Sequence, residues 1–266
     1  LVGDVEVAQA TEDRPSEKPD RVAVSKSSRK PLLKSFPKSN PVMGVGYIGD
    51  RPEAAAIVGR IVTSWADVEV QSARLLSELM GTNIPAAAAV FGSLRSSRAQ
   101  HDAISAAASV TLNEPDLELF EAHMNRRSSL EKERNDLAHG CYGVIVGVRD
   151  HVAWASQGDF LRFTTSARSG EPIPAEEFRK KIFVYEFGTL ERIAQEIEEF
   201  YHQLGFFSGY LVARSGGSDG EVFRAQQYSQ LCSQPHIRQA LDRARTAKKA
   251  ARAAAPIPRG EKKPKR

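Results

Sequence analysis

The sequence predicts a mainly α-helical protein: an antiparallel four-helix bundle, with a small antiparallel β insertion between the third and fourth helices and disordered tails. Three observations predict this class. Apolar residues recur with the helical period before residue 140 and after residue 189, the stretch between changes to short β-like runs, and both ends are rich in basic residues and proline. Apolar residues form 41% of the 266 residues, enough to bury a core.

The first predicted helix runs from Glu53 to Met80 and ends at Gly81. Its apolar residues fall within one arc at about 100° per residue. They are Ile57, Val58, Ile61, Val62, Trp65, Val68, Leu75, Leu76, Leu79 and Met80. A second, alanine-rich helical region covers Ile84 to Phe91 and continues through Gly92 over about Leu94 to Leu112, where small side chains suit close helix packing.

The third predicted helix extends from about Pro115 to His139, and Gly140 stands at the expected C-terminal stop. The following residues alternate like short strands joined by turns. The predicted strands are Cys141 to Val148, Val152 to Ala155, Phe160 to Thr164 and Lys181 to Phe187. The fourth helix starts near Thr189 and carries one apolar stripe as far as Leu211.

These elements predict a folded domain over residues 52–214, with the β insertion at about 141–187. Residues 1–51 are predicted as a disordered basic, proline-rich segment, residues 215–242 as a linker and a short helix, and residues 243–266 as a basic disordered tail. The tail holds 10 basic residues and one acidic residue, whereas residues 51–242 hold 19 basic and 25 acidic ones.

The basic tail suits an anionic polymer, which it would hold through counterion release. Its candidate nucleic-acid-binding residues are Arg243, Arg245, Lys248, Lys249 and Arg252. A solvated tail that only aids solubility is the alternative. The tail composition therefore leaves both interpretations open.

Cys141 and Cys232 make no disulfide framework and have no zinc-ligand spacing, which favours a reducing cytoplasm. No apolar run reaches the roughly 18 residues that span a bilayer, and no signal-peptide pattern is visible at the start of the sequence. No membrane association, metal or other cofactor is expected.

The segment from Glu133 to Gly140 carries the candidate chemistry. Arg134 is followed at once by the amide of Asn135, and His139 lies four residues after Asn135 on the same side of the helix. A forked cation, an amide and an imidazole in one helical turn can all reach a single phosphate. The pattern favours phosphate handling without a metal.

On a helical wheel Arg134 and Arg127 fall within the apolar stripe of the third helix, and Glu69 falls within that of the first. A buried charge needs a partner. We therefore expect Glu69 to pair with Arg134 or Arg127 and to orient the arginine. A buried ion pair that only stabilises the bundle is the alternative.

The sequence Arg134-Asn135-Asp136-Leu137-Ala138-His139 at the end of a bundle helix resembles the HEPN superfamily (higher eukaryotes and prokaryotes nucleotide-binding) over residues 52–214. The signature of that family is an arginine and a histidine four to six residues apart, with a polar residue after the arginine. Arg95 and His101 have a similar spacing. That pair lacks the polar residue and the helix stop, and we interpret it as a chance match.

The resemblance implies a metal-independent ribonuclease of toxin or antiviral-defence type. The ribose 2′-hydroxyl would attack its own phosphodiester, with His139 as acid or base, Arg134 on the transition-state charge and Asn135 on the phosphate or the imidazole. It also implies RNA as partner, a homodimer with a composite site, and an antitoxin or activating protein. The expected products are a 2′,3′-cyclic phosphate and a 5′-hydroxyl.

A different class of function is a non-catalytic helical module that binds nucleic acid or an acidic protein through its basic tails. Some members of the resembled family bind without cleaving. A metalloenzyme is the weakest alternative, because no His, Cys, Asp or Glu residues stand at a recognised ligand spacing.

Overall fold

A computed structural model describes residues 28–166, 170–213 and 218–254. The helices in these ranges are α1 (Leu32–Ser35), α2 (Pro52–Met80), α3 (Ile84–Ser93), α4 (Ser97–Thr111), α5 (Glu114–Ala138), α6 (Gln157–Ser166), α7 (Ala175–Arg179), α8 (Phe187–Val212), α9 (Ser218–Ser233) and α10 (Pro235–Ala254). The strands are β1 (Lys30–Pro31), β2 (Pro41–Met43), β3 (Gly140–Ile145), β4 (His151–Ser156) and β5 (Phe183–Glu186). The prediction of a mainly helical protein with a small antiparallel sheet is confirmed.

Three long helices form the centre of the fold. Helices α2 and α8 run parallel, since Arg60 contacts Glu191 near their starts and Gln71 donates to Ser208 farther along. Helix α5 runs antiparallel to α8, since Arg126 contacts Glu196 while Tyr210 donates to Asp116. The apolar stripes of α2, α5 and α8 face one another and bury large side chains, as the helical periodicity of the sequence predicts. Among them are Ile61, Trp65, Leu119, Phe120, Phe200 and Phe207.

The predicted second helix is two helices, α3 and α4. Ser96 separates them, because its hydroxyl accepts a hydrogen bond from the Ala99 amide at 3.1 Å and so begins a new helix. At the end of α2, Gly81 adopts a left-handed conformation with φ 60°, as its predicted role as a helix stop requires.

The prediction of disorder over residues 1–51 is wrong for residues 28–51. The sheet has the order β1-β5-β4-β3-β2, all antiparallel, so this segment supplies both edge strands. Between them Leu32 is fully buried against a second apolar core that includes Phe178 and Val184. Proline is tolerated because both strands lie at edges. The prediction for residues 1–27 lies outside the described residues.

Residues 160–164 were predicted as a strand and lie instead in helix α6. The Ser156 hydroxyl accepts from the Asp159 amide at 3.1 Å and donates to its carboxylate at 2.6 Å, which starts the helix. Phe160 and Phe163 then lie on one helical face and pack against Phe178, with ring centroids 6.2 and 4.2 Å away. The three-residue spacing of Phe160 and Phe163 indicates a helix, whereas the aromatic content of the segment favours a strand.

Beyond α8, the chain forms two helices where a linker, one short helix and a disordered tail were predicted. Helix α9 is held by Arg224, whose guanidinium lies 3.8 Å from the buried carboxylate of Asp116. Helix α10 continues to Ala254, so residues 243–254 are not a disordered tail. Its buried Ile237 and Leu241 join the main core. Residues 255–266 lie outside the described part of the chain.

None of the helices described is both long and apolar enough to cross a membrane.

Fully buried His123 and half-buried His236 lie where α10 packs on α5. His123 is fully buried, donates through Nδ1 to the Leu119 carbonyl at 2.8 Å and stacks on Phe207. Burial lowers its pKa to about 4. Burial also lowers the pKa of His236 to about 4, helped by nearby Arg126 and opposed by Glu196. Both imidazoles are therefore neutral near pH 7.

This arrangement predicts a loss of stability in mild acid. An unfolded histidine binds its proton below pH 6.5, whereas folded His123 does so only near pH 4, so the free energy of unfolding falls as pH drops between these values. His123 alone contributes a loss of roughly 3 kcal/mol at pH 4. Urea unfolding at pH 7 and pH 5 measures it. His123→Phe should reduce the pH dependence to the part that His236 contributes, and His202→Phe, at an exposed position, should leave it unchanged.

Candidate functional site

The predicted motif lies at the C-terminal end of α5. The helix starts at Asn113, whose side chain accepts from the Asp116 amide at 3.0 Å, and it carries Pro115 in its first turn. It ends at Ala138, and the His139 amide donates to the Asn135 carbonyl at 3.1 Å. Arg134, Asn135 and His139 therefore occupy the last turn of the helix and its cap.

Arg134 and Asn135 contact each other directly. Nη1 of the arginine donates to Oδ1 of Asn135 at 2.8 Å, and both side chains are half-buried. Nε of Arg134 is buried and has no hydrogen-bond partner. Across the described residues no carboxylate forms an ion pair with this guanidinium. The arginine is thus held by a neutral amide and keeps its charge available for an anion.

His139 is exposed and caps the helix in a non-helical conformation, with φ −111° and ψ 12°. An exposed imidazole can exchange protons with solvent or a ligand. Its position four residues after Asn135 puts the two side chains on the same side of the helix end. Asn135 and exposed His139 thus share one side of the helix end, and Arg134 is joined to this pair through its bond to Asn135.

Gly140 does not stop the helix in the way the sequence suggested. It has no left-handed backbone conformation and is the first residue of β3. Its importance is steric: a Cβ at this position would lie 1.7 Å from Nε1 of Trp154. That indole nitrogen donates to the Asp136 carbonyl at 2.9 Å. Glycine therefore allows the sheet to close directly against the last turn of α5.

We expect Gly140→Ala to lower the free energy of unfolding by about 1–3 kcal/mol, because Trp154 must move and lose its bond to Asp136. Urea denaturation followed by tryptophan fluorescence measures the change. Gly59→Ala in α2 is the matched control, since a Cβ there meets nothing within 4 Å. It should be neutral or stabilising by about 0.5–1 kcal/mol. Equal stability of the two variants would contradict the steric role.

The N-terminal segment also supports the end of α5. Arg29 lies 3.0 Å from the Asp136 carboxylate, and its guanidinium is within 5 Å of the Trp154 and Phe183 ring centroids, at 4.3 and 4.7 Å. One residue earlier, the Ser28 hydroxyl donates to Glu133 at 2.6 Å. The two acidic residues of the motif region are therefore occupied by structural partners and leave Arg134 unpaired.

Sequence reasoning missed Arg29 and Trp154. Arg29 stood in a stretch that was read as a disordered basic segment, and Trp154 in a strand with no visible link to the motif. Asp136 inside the motif was the available signal, since an acidic residue beside an arginine and a histidine needs its own partner. Only the sheet topology identifies that partner.

Glu69 does not form the predicted ion pair. Its carboxylate is half-buried and accepts from Nε1 of Trp65 at 3.1 Å. Arg127 is fully buried and pairs at 3.0 Å with Glu131, one turn along its own helix. In the described part of the chain neither Arg127 nor Arg134 has an ion pair with Glu69, because Trp65 and Glu131 supply nearer partners.

Glu69 still acts on Arg127 through its charge. Burial lowers the pKa of Arg127, and the charges of Glu131 and then Glu69 oppose that shift. The Arg127 guanidinium lies 5.5 Å from the centroid of the Trp65 ring, and its Nε and Nη2 are buried without hydrogen-bond partners. This cluster is a buried structural charge site, separate from the exposed motif at the helix end.

The structure describes some of the candidate nucleic-acid-binding residues of the C-terminal tail. Arg243 and Arg245 are exposed on α10. Lys248, Lys249 and Arg252 continue the helical backbone, and their side chains lie outside the described set. No group of three or more His, Cys, Asp or Glu side chains suited to a metal ion occurs among the residues that the structure describes.

Comparisons with protein-family models, curated proteins and solved structures find no match for this chain. Its chemistry must therefore be inferred from the residues themselves. An unpaired arginine, an amide and an exposed imidazole at one helix end can bind a phosphodiester and transfer a proton beside it.

Proposed function

We propose that the chain is a metal-independent endoribonuclease of HEPN type, with a four-helix bundle as its scaffold and a toxin or defence role in the cytoplasm. The observation that carries the proposal is the guanidinium of Arg134, which is held by Asn135 and lacks an acidic partner among the described residues, at the same helix end as exposed His139. A stabilising arginine of the core would be paired, as Arg127 is with Glu131.

The proposed reaction is an internal transfer. His139 takes the proton from the ribose 2′-hydroxyl, and the 2′-oxygen attacks the adjacent phosphorus while the bond to the 5′-oxygen breaks. A protonated imidazole returns a proton to the leaving 5′-oxygen. Arg134 donates to the phosphoryl oxygens, where negative charge increases in the transition state. The products are a 2′,3′-cyclic phosphate and a 5′-hydroxyl.

One imidazole cannot be base and acid at the same moment, which favours a composite site in a homodimer. Two copies of His139 would then face one cleft, one as base and one as acid. Activity would require dimerisation, so a protein that separates the copies or covers the cleft would act as an antitoxin. An activating partner would have the opposite effect.

The test is cleavage of RNA in the presence of EDTA by the wild type and by His139→Ala. The wild type should cleave and leave 2′,3′-cyclic phosphate ends, and the variant should lose cleavage by about 10²–10⁴-fold. His202→Ala is the matched control, because His202 is likewise exposed but lies on α8. Equal cleavage by wild type and His139→Ala, or dependence on a divalent metal, would reject the proposal.

A second candidate is a binding module that holds nucleic acid without cutting it. The exposed arginines Arg243 and Arg245 on α10 favour it. Replacing both with glutamate should weaken nucleic-acid binding. It should also reduce the slope of log affinity against log salt concentration by up to about 2, while Arg134→Ala leaves binding intact. Retained binding in the charge-reversed protein would reject this candidate.

A further inference from the structure

A groove of about 480 Å³ lies between α4 and α5, apart from the motif. Its floor is apolar and includes Phe120 and Met124, whose side chains are almost fully buried. Its walls carry His101 and Ser105 from α4 and Glu121 and Asn125 from α5. The groove thus has an apolar floor and walls that carry hydroxyl, imidazole, amide and carboxylate groups.

The lining contains one carboxylate and no lysine or arginine. Such a groove does not suit a phosphate. It suits a flat, uncharged group with one apolar face and a hydrogen-bonding edge, because the floor can cover the face while Asn125 and Glu121 at the exposed rim reach the edge. A nucleobase has this combination of properties.

The groove and the motif share one side of α5. Residues separated by three and four positions lie in one line along a helix. Five exposed or half-exposed residues of α5 and the His139 cap follow this spacing: Glu121, Asn125, Ser128, Lys132, Asn135 and His139. At 1.5 Å per residue, Asn125 and His139 are about 21 Å apart along the axis. Several nucleotides of a single strand can span that distance.

Positive charge lies between the two ends of this line. Lys132 is exposed on α5, and Arg98 on α4 is 92% exposed with only a 3.8 Å contact to exposed Asp102. A short connection at residues 112–113 makes α4 antiparallel to α5, and His101 lines the groove together with Asn125. Arg98, one turn before His101, therefore lies on the side of the groove nearer the motif.

We propose that the groove binds an unpaired base of the RNA strand that is cut at His139, with the intervening phosphates against Arg98 and Lys132. This inference rests on the proposed ribonuclease function and adds a determinant of substrate choice. The face of the base packs on half-buried Leu117 and on the small exposed parts of Phe120 and Met124, and its edge bonds to Asn125 and Glu121. Because an apolar floor accepts any base, the rim residues set the preference.

The experiment measures binding of single-stranded 2′-O-methyl oligonucleotides, which cannot undergo attack by the 2′-oxygen. Asn125→Ala removes an exposed rim amide, and Ser105→Phe fills the groove from α4. Each should weaken binding of the preferred sequence about ten-fold, and an abasic site at the bound position should weaken wild-type binding to the same degree. Gln195→Ala, exposed on α8, is the control and should bind as the wild type does.

Wild-type affinity in both groove variants, with folding verified by circular dichroism, would overturn the inference. If ordinary RNA survives the wild-type protein while the groove variants still lose binding, the ribonuclease proposal fails and base binding in the groove stands.

Discussion

Arg134→Ala is expected to reduce RNA cleavage by about 10²–10³-fold, because it removes a preorganised donor from the oxygens that gain charge in the transition state. The fold should be unaffected, since the hydrogen bond of the Arg134 side chain in the described structure goes to its neighbour Asn135. Single-turnover cleavage of a labelled oligonucleotide, together with thermal unfolding, separates loss of chemistry from loss of structure.

Arg134→Lys provides the sharper comparison. Lysine keeps the charge but loses the planar fork that contacts two phosphoryl oxygens at once. We expect activity between that of the wild type and that of Arg134→Ala, with the loss in kcat more than in KM. Cleavage by Arg134→Ala at the wild-type rate would remove Arg134 from the proposed site, even if His139 proved essential.

Glu131→Gln is expected to lower the free energy of unfolding by about 3–5 kcal/mol, because it leaves the fully buried Arg127 without its ion-pair partner. Two guanidinium nitrogens of Arg127 already lack hydrogen-bond partners, so no other acceptor compensates within the described structure. Urea denaturation of purified protein measures the loss.

The double variant Arg127→Met, Glu131→Gln tests the cause. Removing the buried charge together with its partner should restore most of the lost stability, since an apolar side chain of similar length fills the space without a charge to solvate. A double variant less stable than Glu131→Gln would show that Arg127 stabilises through packing against Trp65, at 5.5 Å, more than through its ion pair.

Periodicity predicted the long helices well because each buries a single stripe. Helix α2 was expected over Glu53 to Met80 and runs over Pro52–Met80, and α5 was expected from Pro115 and starts at Glu114. Local signals, such as the Asn113 cap and Gly81, also fixed their ends. These are features that a chain specifies over neighbouring residues.

The predictions failed where distant residues decide the structure. Residues 28–51 have the composition of a disordered segment, yet they pair with strands about 100 and 150 residues away. Local composition does not report such partners. Helix α10 likewise packs Ile237 and Leu241 into the main core beside α5, and its backbone stays helical through residues 243–254.

The position of the three motif residues at one helix end was predictable from the sequence, whereas their surroundings were not. The spacing of Arg134, Asn135 and His139 is a local property, and the structure brings them to one helix end. The pairing proposed for Glu69 was wrong because a helical wheel gives the direction of a residue and not its nearest neighbour. Trp65 and Glu131, each four residues away on its own helix, were the nearer partners.

The two edge strands contributed by residues 28–43 have a consequence for synthesis of the chain. β1 leaves the ribosome about 150 residues before its partner β5, so the sheet has a high contact order and closes only after β5 is made. The Arg29 contact to Asp136 cannot be secured by β1 pairing before then. The end of α5 that carries the motif would therefore gain its final support only after β5 has been synthesised, which delays any activity that depends on it.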